Sequence, residues 1–134
     1  MIERKTIFEN QGLDLAGVLR YPDLRETKVP AVLMVHGSLE QDRDGNLLQK
    51  RDGTPAYKKN FFLEISRRLC SADFATFSWD RRGFGESDKL QRPASYLDDV
   101  ADALAALQAL SLQIDIINPL RIAILGQSAG VYTA

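Results

Sequence analysis

Short apolar runs separated by helical patterns constrain the fold of this chain more than any other feature. The run AVLMV at 31–35 holds five apolar residues without alternation, and the runs at 75–79 and 121–125 indicate further buried strands. Continuous apolar runs are typical of strands covered on both faces, as in a parallel sheet flanked by helices. Because crossovers between parallel strands are right-handed, we expect an α/β fold with helices on both faces of the sheet.

The start of the chain predicts a different local structure. Two short runs with alternating apolar residues lie on either side of Asn10, Gln11 and Gly12, which is a pattern typical of a β-hairpin. We therefore expect a mostly parallel sheet of about five strands with flanking helices and an N-terminal antiparallel hairpin. We expect all of it to belong to a single domain over 1–134.

Two segments show the spacing of amphipathic helices. The first covers 58–73, and the second covers 96–112 with Ser95 as its N-cap and acidic residues in its first turn. A third helix is expected to begin at Ser128. The residues predicted to face the sheet are Phe61, Phe62, Ile65 and Leu69 in the first helix, and Val100, Leu104, Leu107 and Leu110 in the second.

Composition limits the classes of partner. A chain of 134 residues with a net charge of -1 and a pI of about 5.8 gives no electrostatic reason to expect nucleic acid or an anionic membrane. No apolar run reaches the ~18 residues of a membrane span, and the charged start does not resemble a signal peptide, so we expect a cytoplasmic protein with a small-molecule substrate. The single Cys70 is expected to be a buried apolar residue.

The last predicted strand leads into the pattern G-x-S-x-G, formed by Gly126, Gln127, Ser128, Ala129 and Gly130. Glycine two residues on each side allows a sharp strand-to-helix turn that exposes the serine hydroxyl, which is the geometry of a nucleophile elbow. The free amide of Ala129 at the start of the helix can then stabilise negative charge on a carbonyl oxygen under attack.

A second amide donor is expected from the turn that follows the run at 31–35. His36, Gly37 and Ser38 end that strand, so the amide of Ser38 or Leu39 can face the serine if the two strands are neighbours. The turn at 80–87 also follows a predicted strand. In open α/β sheets, functional groups gather at the carboxyl ends of the strands. The turns at 36–38 and 80–87 and the pattern at 126–130 all lie at such ends.

Four motifs, PAVLMVHGS, QDRDG, FSWDRRGFGESD and ILGQSAG, resemble the N-terminal half of an α/β-hydrolase, closest to the bacterial esterase and serine-aminopeptidase-like branch. The resemblance covers essentially the whole chain. It implies Ser128 as the nucleophile of acyl-ester hydrolysis through an acyl-enzyme, with Ala129 and either Ser38 or Leu39 as amide donors. It implies supporting roles for His36, Gly37, Gly126, Gln127 and Gly130. Leu39 departs from the glycine often found at its position in this branch.

The acid and the histidine of this superfamily follow the serine in chain order. The only histidine here is His36, for which the resemblance implies a structural role. We therefore expect the chain to be the N-terminal portion of a hydrolase domain, inactive alone and able to self-associate through an open sheet edge. Two alternatives remain: a non-catalytic remnant or pseudoenzyme with a binding role, and a histidine donated by a partner chain.

Other candidate sites are weaker. Asp80, Glu86 and Asp88 are expected to be solvated turn carboxylates that brace arginines. Alternating acidic and amide residues at 42–46 resemble calcium ligands, but the glycine offset is wrong and the terminal glutamate is missing. The glycines at 83–85 form only a fragment of a dinucleotide-binding motif. We expect no metal and no cofactor.

Overall fold

The computed structural model describes residues 1–23, 26–48, 52 and 58–134. Its elements form five strands and three helices within these ranges. The strands are β1 (Ile2–Asn10), β2 (Leu13–Tyr21), β3 (Val29–Val35), β4 (Ala75–Trp79) and β5 (Ile117–Gly126). The helices are α1 (Phe61–Ser71), α2 (Tyr96–Ser111) and α3 (Gly130–Thr133). Residues 49–51 and 53–57, before α1, lie outside the described residues.

The five strands form one sheet in the order β1-β2-β4-β3-β5. β3 pairs in parallel with β4 and β5, whereas β1 with β2 and β2 with β4 are antiparallel. The prediction of a mostly parallel sheet is therefore wrong, and the sheet is mixed. The hairpin does not stand apart from the sheet: β2 pairs with β4 along its second edge and so adds a second antiparallel pair.

The predicted hairpin itself is confirmed. β1 and β2 pair along their whole length, and the two turn residues between them are Gln11 and Gly12. Both have positive φ, 52° and 77°, as a two-residue turn of type I′ requires.

Helix α1 lies inside its predicted span, but its buried face differs from the prediction. Phe62, Ser66 and Cys70 are buried, whereas Phe61 is exposed. The Ser66 hydroxyl donates to the carbonyl oxygen of Phe62 and accepts from Thr76, so a polar residue is satisfied on the inner face. Cys70 is buried as expected, and burial raises the pKa of its thiol.

Helix α2 also occupies its predicted span, and its cap is confirmed. The Ser95 hydroxyl accepts from the amide of Asp98, and the Asp98 carboxylate accepts from the amide of Ser95. The predicted apolar stripe is wrong at Leu104, which is exposed. The inner face instead carries carboxylates, because these pair with arginines that follow β4. The buried residues of α2 are Asp98, Asp99, Asp102, Ala103, Ala106 and Leu110.

The core has one cluster on each face of the sheet. The larger joins β2, β3 and β4 to α2 and includes Leu19, Phe77 and Leu110, and the smaller packs Met34 of β3 against Phe62 of α1. In the described part of the chain β5 pairs only with β3, so its other edge is open. Self-association through this edge stays a prediction. None of the described helices has the length and apolar character that a membrane crossing needs.

Candidate active site

The turn between β5 and α3 carries Ser128 in a strained conformation. β5 ends at Gly126, α3 begins at Gly130, and Ser128 lies between them with φ of 54°. A non-glycine residue in the left-handed region costs roughly 1–2 kcal/mol, so the surrounding structure must hold it there. The side chain is exposed. The residue that the sequence predicts as a nucleophile thus stands at the surface, at the carboxyl end of a sheet strand.

Both glycines of the motif are needed because backbone segments approach each other closely. A β carbon on Gly126 would lie 2.4 Å from the carbonyl oxygen of Gly130. One on Gly130 would lie 2.4 Å from the carbonyl oxygen of Val35. Real β carbons do not come this close to backbone atoms, so no side chain fits at either position without a shift of the backbone.

The turn after β3 lies directly beside Ser128. Val35 and Gly126 are register partners in the parallel pair of β3 and β5, and the amide of Gln127 donates to the carbonyl oxygen of Val35 at 3.0 Å. A β carbon on Gly37 would lie 3.4 Å from the β carbon of Ser128. The structure therefore brings together the two segments that the sequence predicted to meet.

The amides of this turn have defined directions. The carbonyl oxygen of Gly37 accepts from Nδ1 of His36 at 2.7 Å, and that of Ser38 accepts from Nη1 of Arg81 at 2.7 Å. In a planar trans peptide the N–H points opposite to the C=O, so the amides of Ser38 and Leu39 point away from His36 and Arg81. Among the described residues, none accepts a hydrogen bond from the amides of Ser38, Leu39 or Ala129.

His36 is a buried support for this turn. Because a carbonyl oxygen can only accept, the imidazole carries its proton on Nδ1, and burial lowers the pKa of the ring. Its ring meets the Trp79 ring edge to face with centroids 5.0 Å apart. Neither Nε2 of His36 nor Nε1 of Trp79 has a hydrogen-bond partner within the described ranges. A neutral, enclosed imidazole that binds the turn fits the supporting role that the resemblance implies.

Solved structures with the same fold were found. The α/β hydrolase GrgF from Penicillium sp. sh18 matches 99% of this chain and 40% of its own, with a TM-score of 0.73 and 18% identity. Est1E from Butyrivibrio proteoclasticus, solved with ferulic acid bound, matches 96% of this chain and 44% of its own, with a TM-score of 0.71 and 19% identity. The thioesterase domain from the curacin biosynthetic pathway matches 100% of this chain and 38% of its own, with a TM-score of 0.70 and 18% identity.

The chain has the α/β-hydrolase fold. It spans between 38% and 44% of the length of these three structures. No family model matches the sequence, and no curated protein is significantly similar to it.

Two side chains that hold the turn of this α/β-hydrolase fold were not predicted. Gln41, which is buried, accepts from the amide of Gly37 at 2.7 Å and donates to Oε1 of Gln127 at 3.1 Å. Arg81 binds Ser38 while Asp99 of α2 holds its guanidinium through two bonds of 3.0 and 3.1 Å. Gln41 lies in the motif QDRDG and Arg81 in the motif FSWDRRGFGESD. The resemblance therefore included both residues, but it gave neither of them a role.

A second buried ion pair fixes α2 beneath the site. Arg82 donates to both carboxylate oxygens of Asp102, at 2.7 and 2.6 Å, and both side chains are fully enclosed. The bond to Asp102 raises the pKa of Arg82, so the guanidinium stays charged despite its burial. This pairing explains why carboxylates occupy the inner face of α2.

The three turn carboxylates have different surroundings. Asp80 braces Arg43 at 2.8 Å as predicted, but it is buried rather than solvated, because it also accepts from the amides of Arg43 and Glu86. Glu86 is exposed and pairs with Arg43. Asp88 accepts from the amide of Asp14 and has no arginine partner within the described ranges, so that part of the prediction is wrong.

The calcium-like residues bind protein groups. Asp42 accepts from the amides of Asp44 and Asn46, and Asp44 pairs with Arg20. Across the described ranges, no group of three or more His, Cys, Asp or Glu side chains is arranged to hold a metal. The glycines at 83–85 belong to a turn in which the amide of Gly83 donates to the carbonyl oxygen of Asp88.

A cleft of about 390 Å³ opens beside Ser128. Leu39, Leu47 and Phe61 give it a mostly apolar lining, and Gln41, Gln127 and Ser128 add polar groups. Lys59 is the one charged side chain among the described residues that line it. The cleft has the size and character of a small-molecule site.

Proposed function

We propose that this chain carries the nucleophile and the oxyanion hole of a serine hydrolase that cleaves carboxylic esters or related acyl bonds. One observation carries the proposal: a strained, exposed Ser128 stands beside a turn in which the amides of Ser38 and Leu39 have no acceptor among the described residues. Strain of this kind persists where the surrounding structure over-determines it, and it clusters at active sites. The apolar cleft at Ser128 supports a small-molecule ester as the substrate.

In the proposed reaction, Oγ of Ser128 attacks the substrate carbonyl carbon while a base takes the hydroxyl proton. The oxygen of the tetrahedral intermediate accepts hydrogen bonds from the amide of Ala129 and from that of Ser38 or Leu39. Collapse of the intermediate expels the alcohol, which takes up the proton, and leaves an acyl-enzyme on Ser128. Water then attacks the acyl-enzyme, releases the acid and restores the serine.

The base is not found among the described residues beside Ser128. The sequence has one histidine, His36, whose ring is buried and whose Nδ1 is engaged with Gly37. We propose that the base and its acid come from outside residues 1–134, either from the product of the complete coding sequence or from a partner chain. A binding role without catalysis is the alternative, and it predicts that neither source supplies a base.

The test uses p-nitrophenyl esters of different acyl lengths and the product of the complete coding sequence, below termed the full-length protein. Ser128→Ala is expected to lower kcat by about a thousandfold or more, because the nucleophile is lost. Ser111→Ala is the matched control, since the hydroxyl of the half-buried Ser111 donates to the carbonyl oxygen of Gln108 and has no other partner among the described residues. Turnover that survives Ser128→Ala would remove Ser128 as the nucleophile.

A further inference from the structure

The two amide donors of the proposed oxyanion hole belong to different segments. Ala129 follows β5, whereas Ser38 and Leu39 follow β3. Their separation must be fixed before the reaction, because preorganised donors avoid reorganisation when charge develops. Sheet pairing alone cannot fix it, since the register of β3 and β5 ends at Val35 and Gly126.

Beyond that register, Gln41 joins the two segments. Its carboxamide accepts from the amide of Gly37 at 2.7 Å and donates to the side chain of Gln127 at 3.1 Å. Among the hydrogen bonds of the described residues, no other links 36–48 to 126–134. The side chain is only 5% exposed, so water does not compete freely for these bonds.

The orientation of both carboxamides follows from one fixed donor. The amide of Gly37 can only donate, so Gln41 must present Oε1 to it and Nε2 to its other neighbour. Gln127 must then present Oε1 to Gln41. Both hydrogen bonds of the bridge therefore run in one direction: the Gly37 amide donates to Gln41, and Gln41 donates to Gln127, the residue before Ser128.

We propose that Gln41 is a positioning residue for the oxyanion hole, acting through Gly37 on one side and Gln127 on the other. This rests on the proposed function. Loss of the bridge lets the turn after β3 move relative to the elbow, and small displacements of donors weaken the transition state more than the ground state. A positioning residue of this kind changes kcat rather than KM.

The test breaks the bridge from each end. Gln41→Met keeps the length of the side chain but removes both hydrogen bonds, whereas Gln127→Met removes only the bond to Gln41 and leaves the Gly37 amide satisfied. Gln41→Met/Gln127→Met completes a double-mutant cycle. Gln108→Met, at an exposed position of α2, is the control. Thermal melts check that each variant folds. If Gln41→Met does not fold, the comparison of Gln127→Met with the unmodified protein still tests the bridge.

Two readouts are compared in the full-length protein. The kcat of each single variant is expected to fall roughly tenfold with KM unchanged, and the double variant is expected to fall no further than the worse single variant. Hydrogen exchange of the Gly37 amide is expected to accelerate at least about tenfold in Gln41→Met and to stay unchanged in Gln127→Met.

Unchanged kcat in both single variants, additive losses in the double variant, or unchanged exchange at Gly37 would overturn the inference while ester hydrolysis by the unmodified protein stands. An unmodified full-length protein that hydrolyses no ester would overturn the proposed function, and this inference with it.

Discussion

A β carbon on Gly130 would lie 2.4 Å from the carbonyl oxygen of Val35, so the start of α3 packs directly against the end of β3. Backbone contacts backbone here, with no side chain between them. This main-chain contact holds the start of α3 close to the end of β3, and it depends on a residue without a side chain.

Gly130→Ala is expected to destabilise the protein by about 1–3 kcal/mol, because the added methyl forces α3 away from β3. Ester hydrolysis should fall as well, since the elbow moves with α3. Val131→Ala is the control: Val131 is exposed on the same helix, and its loss should change the free energy of unfolding by less than about 0.5 kcal/mol. Chemical denaturation checks both. Equal stability of Gly130→Ala and the unmodified protein would show that the contact is not tight.

Ser128 holds its left-handed conformation at a cost to stability. Glycine adopts that conformation without strain, although it raises the entropy of the unfolded chain. We expect Ser128→Gly to be about 0.5–1 kcal/mol more stable than Ser128→Ala, which keeps the strain, while both lack activity. Denaturation of the two variants side by side measures the difference. If Ser128→Ala proves the more stable, the turn does not store the strain that its φ indicates.

His36 makes stability depend on pH. Burial lowers the pKa of its imidazole in the folded protein, so the unfolded chain binds a proton more readily. This contribution is fully present above the unfolded pKa of about 6.5 and is lost as pH falls below it, by at most about 1.4 kcal/mol per pH unit.

In His36→Phe the new ring can still pack against Trp79. The variant should lack the part of the change in the free energy of unfolding between pH 7 and 5 that His36 contributes. Within residues 1–134 the one histidine is His36, and its imidazole signals in proton NMR are identified as those that His36→Phe removes. They should titrate at a lower pH than those of an exposed histidine, and an ordinary titration near pH 6.5 would refute the burial argument.

The buried pair of Arg82 and Asp102 should matter far more than exposed pairs. Asp102→Ala leaves an enclosed guanidinium without its main partner and is expected to cost about 3–5 kcal/mol. Glu64→Ala breaks the exposed pair with Arg67 on α1 and should cost less than about 1 kcal/mol. Denaturant midpoints compare the two. Similar costs would mean that water reaches Arg82 in solution.

The sequence predicted the parts of this fold that depend on local patterns. The hairpin turn at Gln11 and Gly12, the capping of α2 by Ser95 and the meeting of Gly37 with Ser128 each follow from a turn residue, a cap residue or the rule on strand ends. Such features are encoded within a few residues or by topology alone.

The sequence patterns did not predict the long-range polar pairs. The prediction placed Leu104 on the inner face of α2, whereas Asp99 and Asp102 lie there, because arginines about twenty residues earlier in the chain neutralise them. Gln41 was missed for the same reason: its partners are a backbone amide and a side chain 86 residues away. Hydrophobic periodicity carries no information about such partners.

The most direct test of the account is covalent labelling of the full-length protein with a fluorophosphonate, followed by peptide mass spectrometry. The account predicts a single adduct on Ser128, slower labelling in Gln41→Met, and none in Ser128→Ala. An adduct on another residue, or labelling that persists in Ser128→Ala, would contradict it.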